Sequence, residues 1–80
     1  MIPAWYNNIP PHGVLEAVAK RHRLTIDEIR GPSRKRYICK ARWDAMRLLR
    51  DRGMSLPTIG RILNRDHATI IHGLRRPYEA

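Results

Sequence analysis

The sequence predicts an all-helical domain, and three observations predict it. Apolar residues recur at spacings of three and four along most of the chain, and no stretch alternates as a half-buried strand does. Capping residues stand ahead of the apolar runs at Thr25, Ser55 and Asp66. Gly31-Pro32, Gly53 and Pro77 follow those runs as stops. With 80 residues there is at most one domain. A chain this short buries only roughly 60% of the surface that its unfolded form exposes. It has room for one small core and little for an enclosed substrate cavity.

Residues 1–10 are expected to form an irregular arm, because Asn7-Asn8 and Pro10-Pro11 discourage regular structure. Trp5 and Tyr6 are placed to tack that arm to the body. The helical domain is expected over residues 11–77. A first helix begins near Pro11, with Val14, Leu15, Val18 and Ala19 on one apolar face. Thr25-Ile26-Asp27-Glu28 has the form of a capping box, in which the Thr oxygen reaches forward and the Glu reaches back to free amides. A short helix over Ile26–Arg30 follows and ends at Gly31-Pro32. Residues 31–36 are expected to be a basic loop. A long helix runs from about Tyr37 to Arg52. Ile38, Ala41, Ala45, Leu48 and Leu49 line one side with Met46 beside them, and Arg36, Lys40, Trp43, Arg47 and Arg50 line the opposite side. Gly53 suits a left-handed helix end.

Residues 55–76 read as two short helices joined by a tight turn, a helix-turn-helix. Ser55 caps the first, and Pro57 sits in its first turn, where a missing amide costs little. Ile59, Ile62 and Leu63 form its apolar face. Asn64-Arg65 makes the turn. Asp66 caps the second helix, which buries Ile70, Ile71 and Leu74 and stops at Pro77.

Charge narrows the partner. Sixteen Lys and Arg stand against seven acids, a formal net charge of +9. That excess attracts polyanions without specifying a fold. Residues 1–19 hold no Lys or Arg, whereas residues 20–52 hold twelve of the sixteen. Duplex DNA, RNA and anionic membrane surfaces are the partners such a charge admits. No run approaches the roughly 20 apolar residues needed to span a bilayer, and the apolar face of the basic long helix is needed for the core. The N-terminus lacks the basic start and apolar stretch of a secretory signal. A cytoplasmic, nucleoid-associated protein is therefore expected. Cys39 is the only cysteine, which excludes an internal disulfide and a Cys-rich zinc site. It is expected to pack as a small hydrophobe.

The stretch Arg65-Asp66-His67-Ala68-Thr69-Ile70-Ile71-His72-Gly73 concentrates the chemistry. His67 and His72 are five apart, whereas helical neighbours share a face at three or four, so a metal site is disfavoured. His12 and His22 are remote and unpatterned. Nucleophilic catalysis lacks a Gly-rich oxyanion elbow beside Thr69, and no Walker-type phosphate loop is present. Neither an enzyme nor a cofactor is expected. Asp66 as a helix cap with His67 as an exposed first-turn residue is the plain structural account. Recognition builds on the same cap. The second helix of a helix-turn-helix presents its N-terminal residues to base edges in the major groove. Here those are Asp66, His67, Ala68 and Thr69. An Asp oxygen accepts from cytosine N4 or adenine N6, a His ring donates to guanine or thymine acceptors, and the methyls of Ala68 and Thr69 suit the thymine methyl.

The stretches Ser55-Leu56-Pro57-Thr58-Ile59-Gly60 and Arg65 to Gly73 resemble the C-terminal duplex-DNA-binding domain of the bacterial replication initiator DnaA, which carries a pattern of the type SLPEIG … RDHTTV…HA. The similarity runs from about Val14 to Arg76. The resemblance implies an all-helical fold with a major-groove helix and a basic loop whose arginine enters the minor groove. Arg34 is the nearest match to that arginine, with Lys35 and Arg36 beside it. It implies base reading by Asp66, His67 and Ala68, and phosphate contacts by Arg42, by the helix start at Leu56 and Pro57, and near Thr69 and His72. Lys40, Ser55, Arg65 and Arg76 complete the expected phosphate-facing set. Three departures stand out: a turn one residue shorter, Ala68 in place of Thr or Ser, and a long helix about one residue shorter. The family's own binding box is therefore not carried over as the target, and without a phosphate loop no ATP-driven activity is expected of these residues.

The expected function is sequence-specific duplex-DNA binding, as a small transcription regulator of phage or mobile-element type. Occupancy of initiator boxes to modulate replication is the alternative from the same class. A module docking on a replication or transcription protein through Trp5, Tyr6 and Trp43 is the alternative from another class, and a general RNA binder is a third.

Overall fold

The computed structural model describes residues 13–75, which form five helices. They are α1 Val14–Arg21, α2 Ile26–Arg30, α3 Arg36–Asp51, α4 Leu56–Leu63 and α5 His67–Leu74. The proposed arm, the expected helix start near Pro11 and the stop at Pro77 lie outside the described residues. Among those described there is no strand.

α3 is the central element and touches each of the other four helices. Its Ala41, Ala45, Met46, Leu48 and Leu49 are buried against Val14, Val18 and Ala19 of α1, Ile29 of α2, Ile59 and Leu63 of α4 and Ile70 of α5. Burial of a branched aliphatic side chain contributes about 1.5–3 kcal/mol, so this cluster is the main stabilising term. Ile62, Ile71 and Leu74 are only half-buried.

The helix ends follow local chemistry. Thr25 Oγ1 accepts from the Glu28 amide at 3.1 Å, and Glu28 Oε1 accepts from the Thr25 amide at 2.9 Å, completing the capping box. Gly31 is extended ahead of Pro32, as pre-proline geometry requires. α3 starts and stops one residue earlier than the apolar pattern suggested, because the Lys35 carbonyl already accepts from the Ile38 and Cys39 amides. Arg36 is thus the first helical residue and not part of the loop. Gly53, at φ +84°, ends α3 in the left-handed region.

The side of α3 opposite its main apolar stripe is partly covered by α5. Trp43 is half-buried and packs against the core cluster. A Cβ built on Gly73 would lie 2.2 Å from Met46 Sδ and 3.2 Å from Trp43 Cδ1, so Gly73 is the point of close approach between the two helices. Arg47 Nη2 donates to the Leu74 carbonyl at 2.8 Å and holds the end of α5. Helical periodicity gives one apolar stripe, and it does not report a second partner wedged beside that stripe by a glycine. On the other flank His22 Nε2 meets Asp44 Oδ2 at 2.8 Å and joins the end of α1 to α3.

Candidate nucleic-acid interface

α4 and α5 form the helix-turn-helix, and each of its sharp features has a local cause. Ser55 Oγ accepts from the Thr58 amide at 3.3 Å, and Pro57 occupies the first turn of α4. Asn64 ends α4 with φ 57° and ψ 46°, a conformation Asn tolerates better than most residues. The chain then folds back so closely that the Arg65 amide donates to the Gly60 carbonyl at 2.8 Å. A Cβ on Gly60 would come within 2.5 Å of the Arg65 carbonyl oxygen. Only glycine fits there without opening the turn.

Asp66 caps α5 with one oxygen. Its Oδ1 accepts from both the amide and the hydroxyl of Thr69, each at 2.9 Å. Its Oδ2 has no partner among the described residues. The hydrogen bonds from the Thr69 amide and then its hydroxyl hold the Asp66 pKa below the ordinary 3.8, with smaller help from His67 and His72 against a small desolvation penalty. The carboxylate is ionised at neutral pH and has an open acceptor at the exposed start of α5. His67, Ala68 and Thr69 are exposed beside it, and His72 is exposed one turn further on. The four residues expected to read bases thus share the start of the helix, and Asp66 and His67 border an open cleft of about 740 Å³ together with Pro57, Gly60, Asn64 and Arg65.

The basic loop lies next to this surface. A second cleft of about 440 Å³ is bordered by Arg30, Gly31, Ser33, Arg34, Arg42 and Arg65, and Asn64 and Arg65 belong to both clefts. Arg34, Lys35 and Arg36 are exposed, and their side chains make no hydrogen bond or ion pair within the described residues. Arg30 is similarly exposed on the same cleft and was missing from the expected set. A cation just ahead of Gly31-Pro32 was the sequence signal that could have found it. Lys40 is half-buried, Ser55 and Pro57 are exposed, Leu56 packs partly into the core, and Arg76 lies outside the described residues.

Arg42, expected from the resemblance to contact phosphate, is turned inward. It is only 5% exposed. Nε donates to the Ile29 carbonyl at 2.6 Å, and Nη2 donates to the carbonyls of Glu28 at 3.3 Å and Gly31 at 2.7 Å. Nη1 donates to the Ser33 carbonyl and lies 3.8 Å from Cys39 Sγ. A guanidinium has five N–H donors, and these acceptors occupy all of them. Burial, and next the positive charge of Arg65, lower the Arg42 pKa, while contact with Cys39 opposes the fall. An arginine stays protonated even so. The physical cause is the shortness of α2: the last four carbonyls of any helix lack intrahelical partners, and α2 has only five residues. Arg42 satisfies two of those carbonyls, Glu28 and Ile29, from the neighbouring helix, and with them Gly31 and Ser33 of the loop. Arg65 also turns inward. Its Nη1 donates to the carbonyls of Asn64 at 2.9 Å and of Arg30 and Leu63 at 3.3 Å, and its Nη2 donates to the Gly31 carbonyl.

The model of the bacterial dnaA protein helix-turn-helix family matches residues 11–76. The chain belongs to the bacterial DnaA helix-turn-helix family. Among curated proteins it is similar to the chromosomal replication initiator protein DnaA of Thermomicrobium roseum, 42% identical over 73 residues that make up 89% of this chain and 16% of that protein. The DnaA of Bifidobacterium animalis subsp. lactis is 44% identical over 84% of this chain and 12% of its own length. The DnaA of Neisseria meningitidis serogroup C is 41% identical over 78% of this chain and 12% of its own length. The chain therefore spans only about an eighth to a sixth of these relatives. No solved structure matches. The all-helical architecture and DNA binding are what membership of the DnaA helix-turn-helix family supports. Among the described residues, no group of three or more His, Cys, Asp or Glu is arranged to hold a metal ion, and no helix is long and apolar enough to cross a membrane.

Proposed function

We propose that this chain is a sequence-specific reader of duplex DNA, with the start of α5 in the major groove and Arg34 at the minor groove. The observation that carries the proposal is the divided carboxylate of Asp66. One oxygen fixes the helix start, and the other is an open acceptor beside the exposed His67, Ala68 and Thr69. An acid facing a polyanion is repelled unless a base donor meets it, so it discriminates against wrong sequences. Affinity comes from the surrounding cations, among them Arg30, Arg34, Lys35, Arg36 and Lys40, with the start of α4 at Ser55, Leu56 and Pro57 and the exposed His72 approaching phosphates. Arg76 joins that set in the same reading. Arg34 in a minor groove favours the narrow A·T-rich form. The longest extent of 28 Å covers about eight base pairs at a rise of about 3.4 Å.

Two roles follow from where such sites lie. Identity of 41–44% to replication initiators favours sites of the initiator type and control of replication. Ala68 and the shortened turn favour a shifted target and a regulator of transcription. Docking through Trp43 is less well supported, because it is half-buried against the core; Trp5 and Tyr6 lie outside the described residues.

The test is selection from a random duplex library at near-physiological salt with wild type and His67→Ala. The expected result is an enriched motif that His67→Ala weakens by about 1–3 kcal/mol and degrades at one or two positions. Equal loss on every sequence removes His67 from the readers. Binding without any motif, lost at higher salt, leaves only a nonspecific polyanion binder. Genomic matches to the motif then separate replication origins from promoters.

A further inference from the structure

The loop and the reading helix are joined at one atom. Gly31 O accepts from Arg42 Nη2 and from Arg65 Nη2. Arg42 reaches that point from the middle of α3. Arg65 reaches it from the helix-turn-helix turn, 34 residues along the chain and immediately before the Asp66 cap. Asn64 Nδ2 adds a weaker link to the Arg30 carbonyl at 3.4 Å. From Glu28 to Ser33, every carbonyl but that of Pro32 receives a bond from one of these two arginines or from Asn64.

We infer that Arg42 and Arg65 are positioning residues that fix the loop bearing Arg34 relative to the start of α5, and so set the spacing between minor-groove and major-groove contacts. The inference rests on the DNA-reading proposal above. Two like charges meet at one carbonyl, an arrangement that repels itself. The carbonyl dipoles at the end of α2 offset the repulsion, because a helix C-terminus attracts cations. The planar fork of a guanidinium can bridge several carbonyls at fixed angles, and the point charge of an ammonium cannot. Lysine at either position therefore keeps the charge and loses the geometry. A cation merely touching phosphate tolerates that exchange far better.

The experiment uses the full chain with Arg65→Lys and Arg42→Lys. Each variant is measured on the selected duplex and on one whose loop-side flank is changed from A·T to G·C pairs. The expected result is a flank preference that falls to near unity in both variants. Mismatch penalties under α5 and the salt slope stay as in wild type. In the free protein, trypsin cutting at Arg34 and Lys35 accelerates by roughly tenfold as the pinned loop opens locally. Wild-type flank preference and wild-type cutting in both variants overturn the inference. So does Arg42→Ala with an intact flank preference and a salt slope lowered by about one, which assigns that charge to a phosphate. Arg65 is half-buried, so Arg65→Lys decides the matter even if Arg42→Lys fails to fold. A wild-type chain with no selected motif overturns the DNA-reading proposal and the inference together. A clear wild-type motif with unchanged variants overturns the inference alone.

Discussion

The start of α5 and the basic loop present neighbouring surfaces, yet they are held in place by different means. Asp66, His67, Ala68 and Thr69 are placed by bonds within residues 60–69: a left-handed Asn64, the close approach at Gly60 and the Asp66 cap. The loop from Gly31 to Lys35 has almost no bonding of its own beyond Ser33 Oγ accepting from the Lys35 amide at 3.3 Å. It is held from outside by side chains of α3 and of the helix-turn-helix turn. Local rules make a surface that is rigid on its own terms. Borrowed bonds make one whose position depends on the rest of the fold, so the two surfaces should break in different ways.

The largest effect is expected at the locally built surface. Gly60→Ala drives a Cβ to 2.5 Å from a backbone oxygen, and backbone cannot swing aside as a side chain can. The expected cost is about 3 kcal/mol, at the upper end for overpacking. In a domain of this size that lowers Tm by roughly 12–24 °C. DNA binding should fall with it, since α5 is displaced as a unit. A Tm within a few degrees of wild type would show that the turn relaxes.

Arg42→Met probes the borrowed bonds. Methionine fills similar space without donors, leaving the carbonyls of Glu28, Ile29 and Ser33 to find water and that of Gly31 with Arg65 alone. The expected cost is about 2 kcal/mol, because bonds from a charged donor are lost while solvent is close enough to replace some of them. Thermal or urea unfolding measures the loss. Its distribution is the sharper readout, as native-state hydrogen exchange should accelerate in α2 while α5 amides change only with global stability. Uniform acceleration would mean that α2 and α5 open as one unit.

The same contrast explains what the sequence made legible. Caps, breakers and helical spacing act over four or five residues, so the capping box at Thr25, the stop at Gly53, the turn at Asn64 and the Asp66 cap can all be read from neighbouring letters. The exposure of Asp66, His67, Ala68 and Thr69 followed from the same local logic. Arg42 could not be read this way. Its sequence neighbours place it on a basic helix, and a cation on a basic helix of a +9 chain is expected to face solvent. Only the three-dimensional meeting of α3 with a helix too short to satisfy its own carbonyls turns it inward. The inward turn of Arg65, the Asp44–His22 pair and the burial of Trp43 against α5 are of the same kind. Each depends on a partner more than twenty residues away.

The smallest effect separates the two tasks of Asp66. Its pKa in the folded chain lies below the ordinary 3.8, chiefly because the ionised oxygen accepts from the Thr69 amide and hydroxyl. A depressed carboxylate contributes stability that is fully present above its unfolded pKa and is lost as pH falls through the folded one. Wild type should therefore hold a constant advantage over Asp66→Asn from neutral pH down to about 5, and that advantage should shrink below the unfolded value of about 3.9. Asn remains a competent cap, so the difference in Tm between the two proteins should be small at pH 7 and smaller still in acid. A pH-independent difference would mean that the charge of Asp66 adds nothing to the cap. The selected DNA motif is the second axis. Asn offers a base both a donor and an acceptor where Asp offers acceptors only. A nearly unchanged Tm at neutral pH with an altered motif assigns the unpartnered oxygen to base reading, whereas an unaltered motif leaves Asp66 with the cap alone.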